Sequence, residues 1–503
     1  MTRSDKGTNF IVADDQPNAP KSPSDILQHD SKSVPKTAMT GPARSLSHDE
    51  WLQIGQSIDG EGRLDLSGEA LSISDNGLIV AIGAVDNDGN STTADNNQGH
   101  VRLYQWNITH WSQLGNDIDG VFAQDQFGHA LSLSGDGYTL AVGAPNHDSP
   151  QTDIGLVLVF KYDFSISDWT QKGSAILGTG LGDKNGYSVS LSYSGDVLAV
   201  GAPDNDLNGI DSGYARVFLW DSSEWVQAGG DIKGEAAADR SGYSVSLSRT
   251  GARIAVGAIY NDGPNGKNAG HVRVYEFNGS VWDLLGDDIE GDYYDTHSGY
   301  SVSLNGAGDV VAIGSPNSVE GTGLLEVYYF DGAAWNKRTN GTPIHGSEYT
   351  DNFGHFVSIS DDGNRVAVGA PNTDYRNITT NVERIDAGRV KIFEWENGSW
   401  TQLGSDLDGD AAGDIYGYAV AISGDGRHVA IGGPKSSSGS LYAGEVRVFE
   451  IHDNDNGNAF ASPGGGGGES YRRKYLFVLT KYCSLAHLCS PNLQPLRPPF
   501  PLI

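Results

Sequence analysis

Apolar and polar residues alternate along most of the chain in short runs bounded by Gly, Asn, Asp and Ser. In Tyr187-Ser-Val-Ser-Leu191 one face is Tyr, Val and Leu, and the other is all Ser. Such a period of two predicts a strand, because successive side chains point to opposite faces of a sheet. The run recurs at Gly242–Ser248, with variants starting at Gly68, Gly128, Gly299, Gly354 and Gly417. A second run, Leu198–Pro203 and Leu140–Pro145, has variants ending on Gly83, Gly257, Gly314, Gly369 and Gly432. A third is Gly270–Tyr275 and Gly444–Phe449, with copies beginning at Gly99, Gly155, Gly213, Gly323 and Gly388. A fourth opens on Trp51, Trp111, Trp169, Trp225, Trp282, Trp335 and Trp400, at spacings of 60, 58, 56, 57, 53 and 65. Its copy at Trp335-Asn-Lys-Arg-Thr339 is the most divergent.

Four short strands repeated at this period predict an all-β chain, a seven-bladed β-propeller of four-stranded blades. The run with the all-Ser face is placed innermost, where crowding near the axis favours small side chains. The Gly that ends the second run requires positive φ or close backbone approach. The first copy starts at the Trp strand and the last stops after Glu445-Val-Arg-Val-Phe449. The N-terminal Trp strand is therefore expected to complete the last blade and close the ring, which removes free edges.

The repeat spans residues 51–452. Residues 1–50 are Ser-, Pro-, Lys- and Asp-rich and read as a disordered segment. Residues 453–503 read as a Gly-rich linker, Gly464–Gly468, and a basic Pro-rich tail that holds both cysteines, Cys483 and Cys489. A disulfide scaffold and a Cys-type zinc site are thereby excluded for the body. The net charge is −31, yet residues 1–50 nearly balance and residues 470–503 carry no acid. The excess of acid falls on the repeat, so nucleic acid is not an expected partner. No stretch approaches the roughly 20 apolar residues of a transmembrane span. The first fifteen residues contain no apolar signal-peptide core, and the six N-x-S/T sequons are permissive of secretion only.

The repeat resembles the FG-GAP family, whose best-known members are the N-terminal propellers of integrin α-subunits. Phe127-Gly128 and Phe353-Gly354 give the FG; Gly143-Ala-Pro145, Gly201-Ala-Pro203 and Gly369-Ala-Pro371 give the GAP. The resemblance implies a propeller with a binding, adhesion-like role at a cell surface or outside the cell. Family members carry a calcium loop between the FG and GAP strands. Here that link is a tight turn such as Ser134-Gly-Asp-Gly137, with too few carboxylates for the six to eight oxygens of Ca²⁺.

One loop offers a calcium pattern elsewhere. Asp204, Asp206, Asn208 and Asp211, with Gly209 at the sixth position, give oxygen ligands at the spacing of a Ca²⁺ loop. An Asx-rich turn uses the same residues. Asp65, Asp125, Asp183, Asp239, Asp351 and Asp414 each precede an innermost strand by three residues from its Gly, while Asp295 is one further off. These are read as turn residues bonding local backbone N–H groups, against a ring of carboxylates at the channel mouth. The repeated Trp, thickened by Trp106, Trp220 and Trp395, is read as packing between blades rather than as a sugar platform. His129 and His355 replace the Tyr of two innermost strands, and no shared metal is expected between them.

No hydrolase elbow, zincin or phosphate-loop motif occurs. The expected function is non-catalytic binding of a protein or glycan ligand through loops on one face. The insertions Asn372–Ala387 and Asp86–Gln98 break the repeat and are the expected readers. A propeller-based hydrolase or lyase would show a blade-unique cluster of titratable groups in the channel mouth. A cation-binding structural surface protein is the third possibility.

Overall fold

The computed structural model describes residues 50–88, 97–377 and 382–452, which form a seven-bladed propeller. The third blade shows the plan. Its strands Ser188–Leu191, Val197–Ala202, Tyr214–Trp220 and Trp225–Gln227 pair antiparallel in chain order. Among the described residues the one helical turn is Ser318–Gly321, in the fifth blade. The expectations for residues 1–49 and 453–503, and the sequon at Asn90, lie outside the described residues.

Each Trp run divides into two strands where the sequence reads as one. In the first blade Trp111–Gln113 and Ile118–Asp119 both pair with His100–Trp106. Gly115 makes the break, with φ of 80°. A Cβ there would lie 2.7 Å from Trp169 of the next blade, so both the conformation and the contact require glycine.

The ring closes as the phase of the repeat predicts. The seventh blade takes Ala419–Ile422, His428–Gly433 and Glu445–His452 from the end of the repeat, and Glu50–Gln53 from its start. Trp51 lies opposite Ile451 in that pairing. Ile58–Asp59 extends it against Val446 and Glu445.

Three concentric sets of contacts join the blades. At the outside, every repeated Trp donates its indole N–H to a carbonyl of the preceding blade's Trp segment. The pairs run Trp111 to Ile54, Trp169 to Leu114, Trp225 to Lys172, Trp282 to Ala228, Trp335 to Leu285, Trp400 to Arg338 and Trp51 to Leu403, at 2.7–3.0 Å. The packing reading of these residues holds, with a directional bond added. Between them lie apolar layers, such as Val157 and Val159 of the second blade against Leu191, Leu198 and Val200 of the third. Burial of one such side chain contributes about 1.5–3 kcal/mol.

Near the axis, Ser hydroxyls of six of the seven innermost strands accept from the backbone of the next. Leu133 N–H reaches Ser72, Leu191 reaches Ser132, Leu247 reaches Ser190, Leu304 reaches Ser246, Ile359 reaches Ser303 and Ile422 reaches Ser358. Small size is thus only part of why Ser recurs there. The Gly ending the second run is explained by close approach. A Cβ on Gly201 would sit 2.0 Å from the Gly242 carbonyl oxygen of the next blade.

Candidate functional site

The two ends of the propeller are built differently. At one end the tight turns between the first and second strands meet around the axis. Asp75 N–H donates to Gly135, Gly135 to Tyr193, Tyr193 to Arg249, Arg249 to Gly306, Gly306 to Asp361 and Asp361 to Gly424, all within 3.0 Å. Asp425 N–H completes the circle onto Asp75 at 3.4 Å. Arg249 reaches across this end. Its guanidinium bonds Asp75 through both Nη atoms at 3.1 and 3.2 Å, pairs with Asp361, and lies 3.7 Å from the Tyr193 ring centroid. Backbone and ion pairs together seal the channel here.

The other end is open. The residue after the Gly of each innermost strand faces a shared well of about 190 Å³, in the order Glu69, His129, Tyr187, Tyr243, Tyr300, His355 and Tyr418. Successive rings from His129 to Tyr418 stand 4.6–5.1 Å apart, centroid to centroid. The Tyr187 and Tyr300 hydroxyls hydrogen-bond that of Tyr243, and Tyr300 lies 3.3 Å from His355 Nε2. Burial lowers both His to about 4, so they are neutral at pH 7. Burial raises Glu69 to about 7; Asp86 adds to this and Lys435 opposes it. Glu69 is therefore the one acid of an otherwise neutral, mostly aromatic ring. Sequence reasoning noted the two His and missed Glu69, although Gly68-Glu-Ala-Leu-Ser72 departs visibly from Gly-Tyr-Ser-Val-Ser.

The open end is also where connections between blades and loops between second and third strands lie. The repeated Asp side chains hold these connections. Asp183 accepts from Thr179 N–H, Gly180 N–H and Asn205 Nδ2 at 2.7–2.8 Å. Asp239 accepts likewise from Glu235 and Ala236 N–H. All six are buried, so they line no charged mouth. In the fifth blade Thr296 takes this place, bonding the Ala269 and Tyr293 carbonyls, while Asp295 pairs with His297. The buried carboxylates support strained backbone: Ala238 and Arg240, flanking Asp239, have φ of 69° and 55°.

The Asp204–Asp211 loop lies at the same end. Asp204 faces Arg240 at 3.2 Å, Asp206 accepts from Asp211 N–H at 2.9 Å, and Asn208 donates to the Gly234 and Glu235 carbonyls at 2.9 Å. These bonds are those of an Asx-stabilised turn, with Asn208 turned toward the next blade connection.

A larger cleft of about 960 Å³ opens beside the fifth blade. It arises where the repeat diverges: Trp335 to Ile344 spans two residues more than Trp111 to Ile118. Glu326 stands where Arg102, Arg216, Arg273 and Arg447 stand in other blades. Burial raises Glu326 to about 6, and Lys337 lies 2.6 Å from both it and Asp292.

Residues 233–275, leading into the fourth blade and ending within its third strand, match the FG-GAP repeat family. The matched segment and the seven-bladed ring are together consistent with an FG-GAP propeller. No curated protein matches the chain.

Proposed function

We propose that this FG-GAP propeller is a non-catalytic, adhesion-like binding module that takes a protein or glycan ligand on its open end. One observation carries the reading. The blade connections repeat in backbone but differ in exposed apolar side chains, including Val121, Phe122, Leu181, Tyr293, Tyr294 and Tyr349, each at least half exposed. Exposed aromatic residues around concave features are a feature of recognition surfaces. The axial well and the fifth-blade cleft supply the concavity, and the insertions Asp86–Gln98 and Asn372–Ala387, of which residues 89–96 and 378–381 lie outside the described residues, follow second strands that end at Ala84 and Ala370.

In the fifth-blade cleft the hydrolase or lyase alternative would draw on Glu326. That carboxyl is engaged by Lys337, which favours a structural ion pair over a free general acid. An array of glycans and a panel of purified extracellular domains test the proposal. A binder should lose at least tenfold affinity for Glu69→Gln combined with Tyr349→Ala and keep it for the sealed-end variant Thr250→Ala. Loss confined to the sealed-end variant, or turnover of an arrayed substrate, overturns it.

A further inference from the structure

Among the described residues, two groups of one His and two carboxylates bring ligand atoms within 4.8 Å of one another. They are Glu61, His100 and Asp117, and Glu235, His271 and Asp288. The two groups occupy the same place on the first and fourth blades. In each, the His opens the third strand, the Asp precedes the short outer strand, and the Glu comes from the connection entering the blade. The other five blades have Leu156, Tyr214, Leu324, Arg389 and Glu445 at the His position, so the arrangement is not a demand of the repeat.

Each group also has an orphan atom. His100 and His271 are both 2% exposed. His100 Nε2 and His271 Nδ1 have no hydrogen-bond partner. His271 Nδ1 is directed into its group, 3.9 Å from Asp288 Oδ2, beyond hydrogen-bonding reach. A buried polar atom left without a partner is destabilising, and a water or an ion would relieve it.

The surrounding charge points the same way. Asp119 lies opposite His100 in the strand pairing, and Glu290 opposite His271. Glu290 Oε2 is buried without a hydrogen bond. Each group thus sets three carboxylates against one guanidinium: Arg102, 3.2 Å from Glu61, and Arg273, which bonds Asp288 at 2.9 and 2.8 Å and pairs with Glu235. A carboxylate offers about four lone-pair sites, so an Arg on one leaves others for a metal. Such outer partners commonly fix the orientation of ligating carboxylates.

We propose that these are twin divalent-metal sites of the zinc class, each held by one imidazole and two carboxylates. An imidazole among the ligands favours zinc over calcium or magnesium, and the excess negative charge suits a divalent ion. Each ion would tie a blade connection to the blade it enters. The first would lie just after the strand that closes the ring, Glu50–Gln53.

Calorimetric titration of the full chain with zinc chloride tests this. His100→Ala and His271→Ala should each remove one equivalent of zinc, and the double variant two. Any zinc bound by Cys483 and Cys489 is common to all variants and cancels in the difference. Zinc should raise the melting temperature of the wild type but not of the double variant. Glu61→Gln and Glu235→Gln alter side chains that are 48% and 45% exposed, and should weaken their own sites at least tenfold if a His variant fails to fold. Unchanged stoichiometry in the His variants, or unchanged affinity in the Gln variants, overturns the proposal; loss at one blade alone overturns the twin assignment.

Discussion

The indole N–H of Trp51 donates to the carbonyl of Leu403 at 2.9 Å, across 352 residues of sequence. It is the same bond that six other Trp residues make between neighbouring blades, but here the donor comes from the strand that closes the ring. The inner contacts are weaker at the seventh blade's other junction, with the first blade. Ala421 replaces the Ser that accepts from the next blade elsewhere, and the turn circle closes through Asp425 at 3.4 Å. Closure therefore rests mainly on the pairing of Glu50–Gln53 and on the two indole bonds of this segment, one donated by Trp51 to Leu403 and one received by Ile54 from Trp111. Trp51→Phe keeps the ring but strands a buried carbonyl, and should cost about 1–3 kcal/mol in urea unfolding. An unchanged unfolding curve would deny the bond its role.

The missing inner bond can be supplied. Ala421→Ser places a hydroxyl where Ile73 N–H can reach it, as Leu191 N–H reaches Ser132 at 2.8 Å. The expected gain is about 1 kcal/mol, while Ser190→Ala, which strands Leu247 N–H, should lose about 1–3 kcal/mol. Equal effects of both changes on thermal unfolding would contradict the assignment.

Glu69 should leave a signature in the pH dependence of stability. Its folded value of about 7 lies above the ordinary 4.5, so the folded state keeps a proton that the unfolded chain gives up. Stability from this residue falls as pH rises from about 4.5 to 7 and levels off above that. Glu69→Gln stays neutral throughout. Its stability relative to the wild type should rise across that window and then hold constant. Parallel pH profiles for the two proteins would show that the carboxyl titrates normally.

The Asp204–Asp211 loop makes a separate prediction. Asp206 accepts from Asp211 N–H, so Asp206→Ala should cost about 1 kcal/mol equally in chelator and in millimolar Ca²⁺. A loss seen only with Ca²⁺ would establish the loop as an ion site instead.

The legible and hidden features of the chain divide along physical lines. Strand period, blade number and closure were legible because they are written seven times, and because the phase of the first Trp strand leaves one way to end the edges. The well was hidden because its successive members, from Glu69 through His129 to Tyr418, lie 55–63 residues apart and acquire a shared meaning only around an axis. Arg249 was hidden for the same reason: in Ser248-Arg-Thr-Gly251 it reads as an ordinary turn residue, yet it reaches Asp75 and Asp361 on distant blades. The division of each Trp run could not be read from alternation, since Gly115 breaks the strand without breaking the period.

Everything placed on the open end presupposes that the ring is closed by residues 50–59. The direct measurement is thermal unfolding, followed by circular dichroism, of two truncated chains, one beginning at residue 50 and one at residue 60. The first should melt with the full chain. The second loses Glu50–Gln53 and Ile58–Asp59, exposes the edge of Glu445–His452, and should melt earlier and associate with rising concentration. Coincident melts for the two truncations would contradict the closed ring.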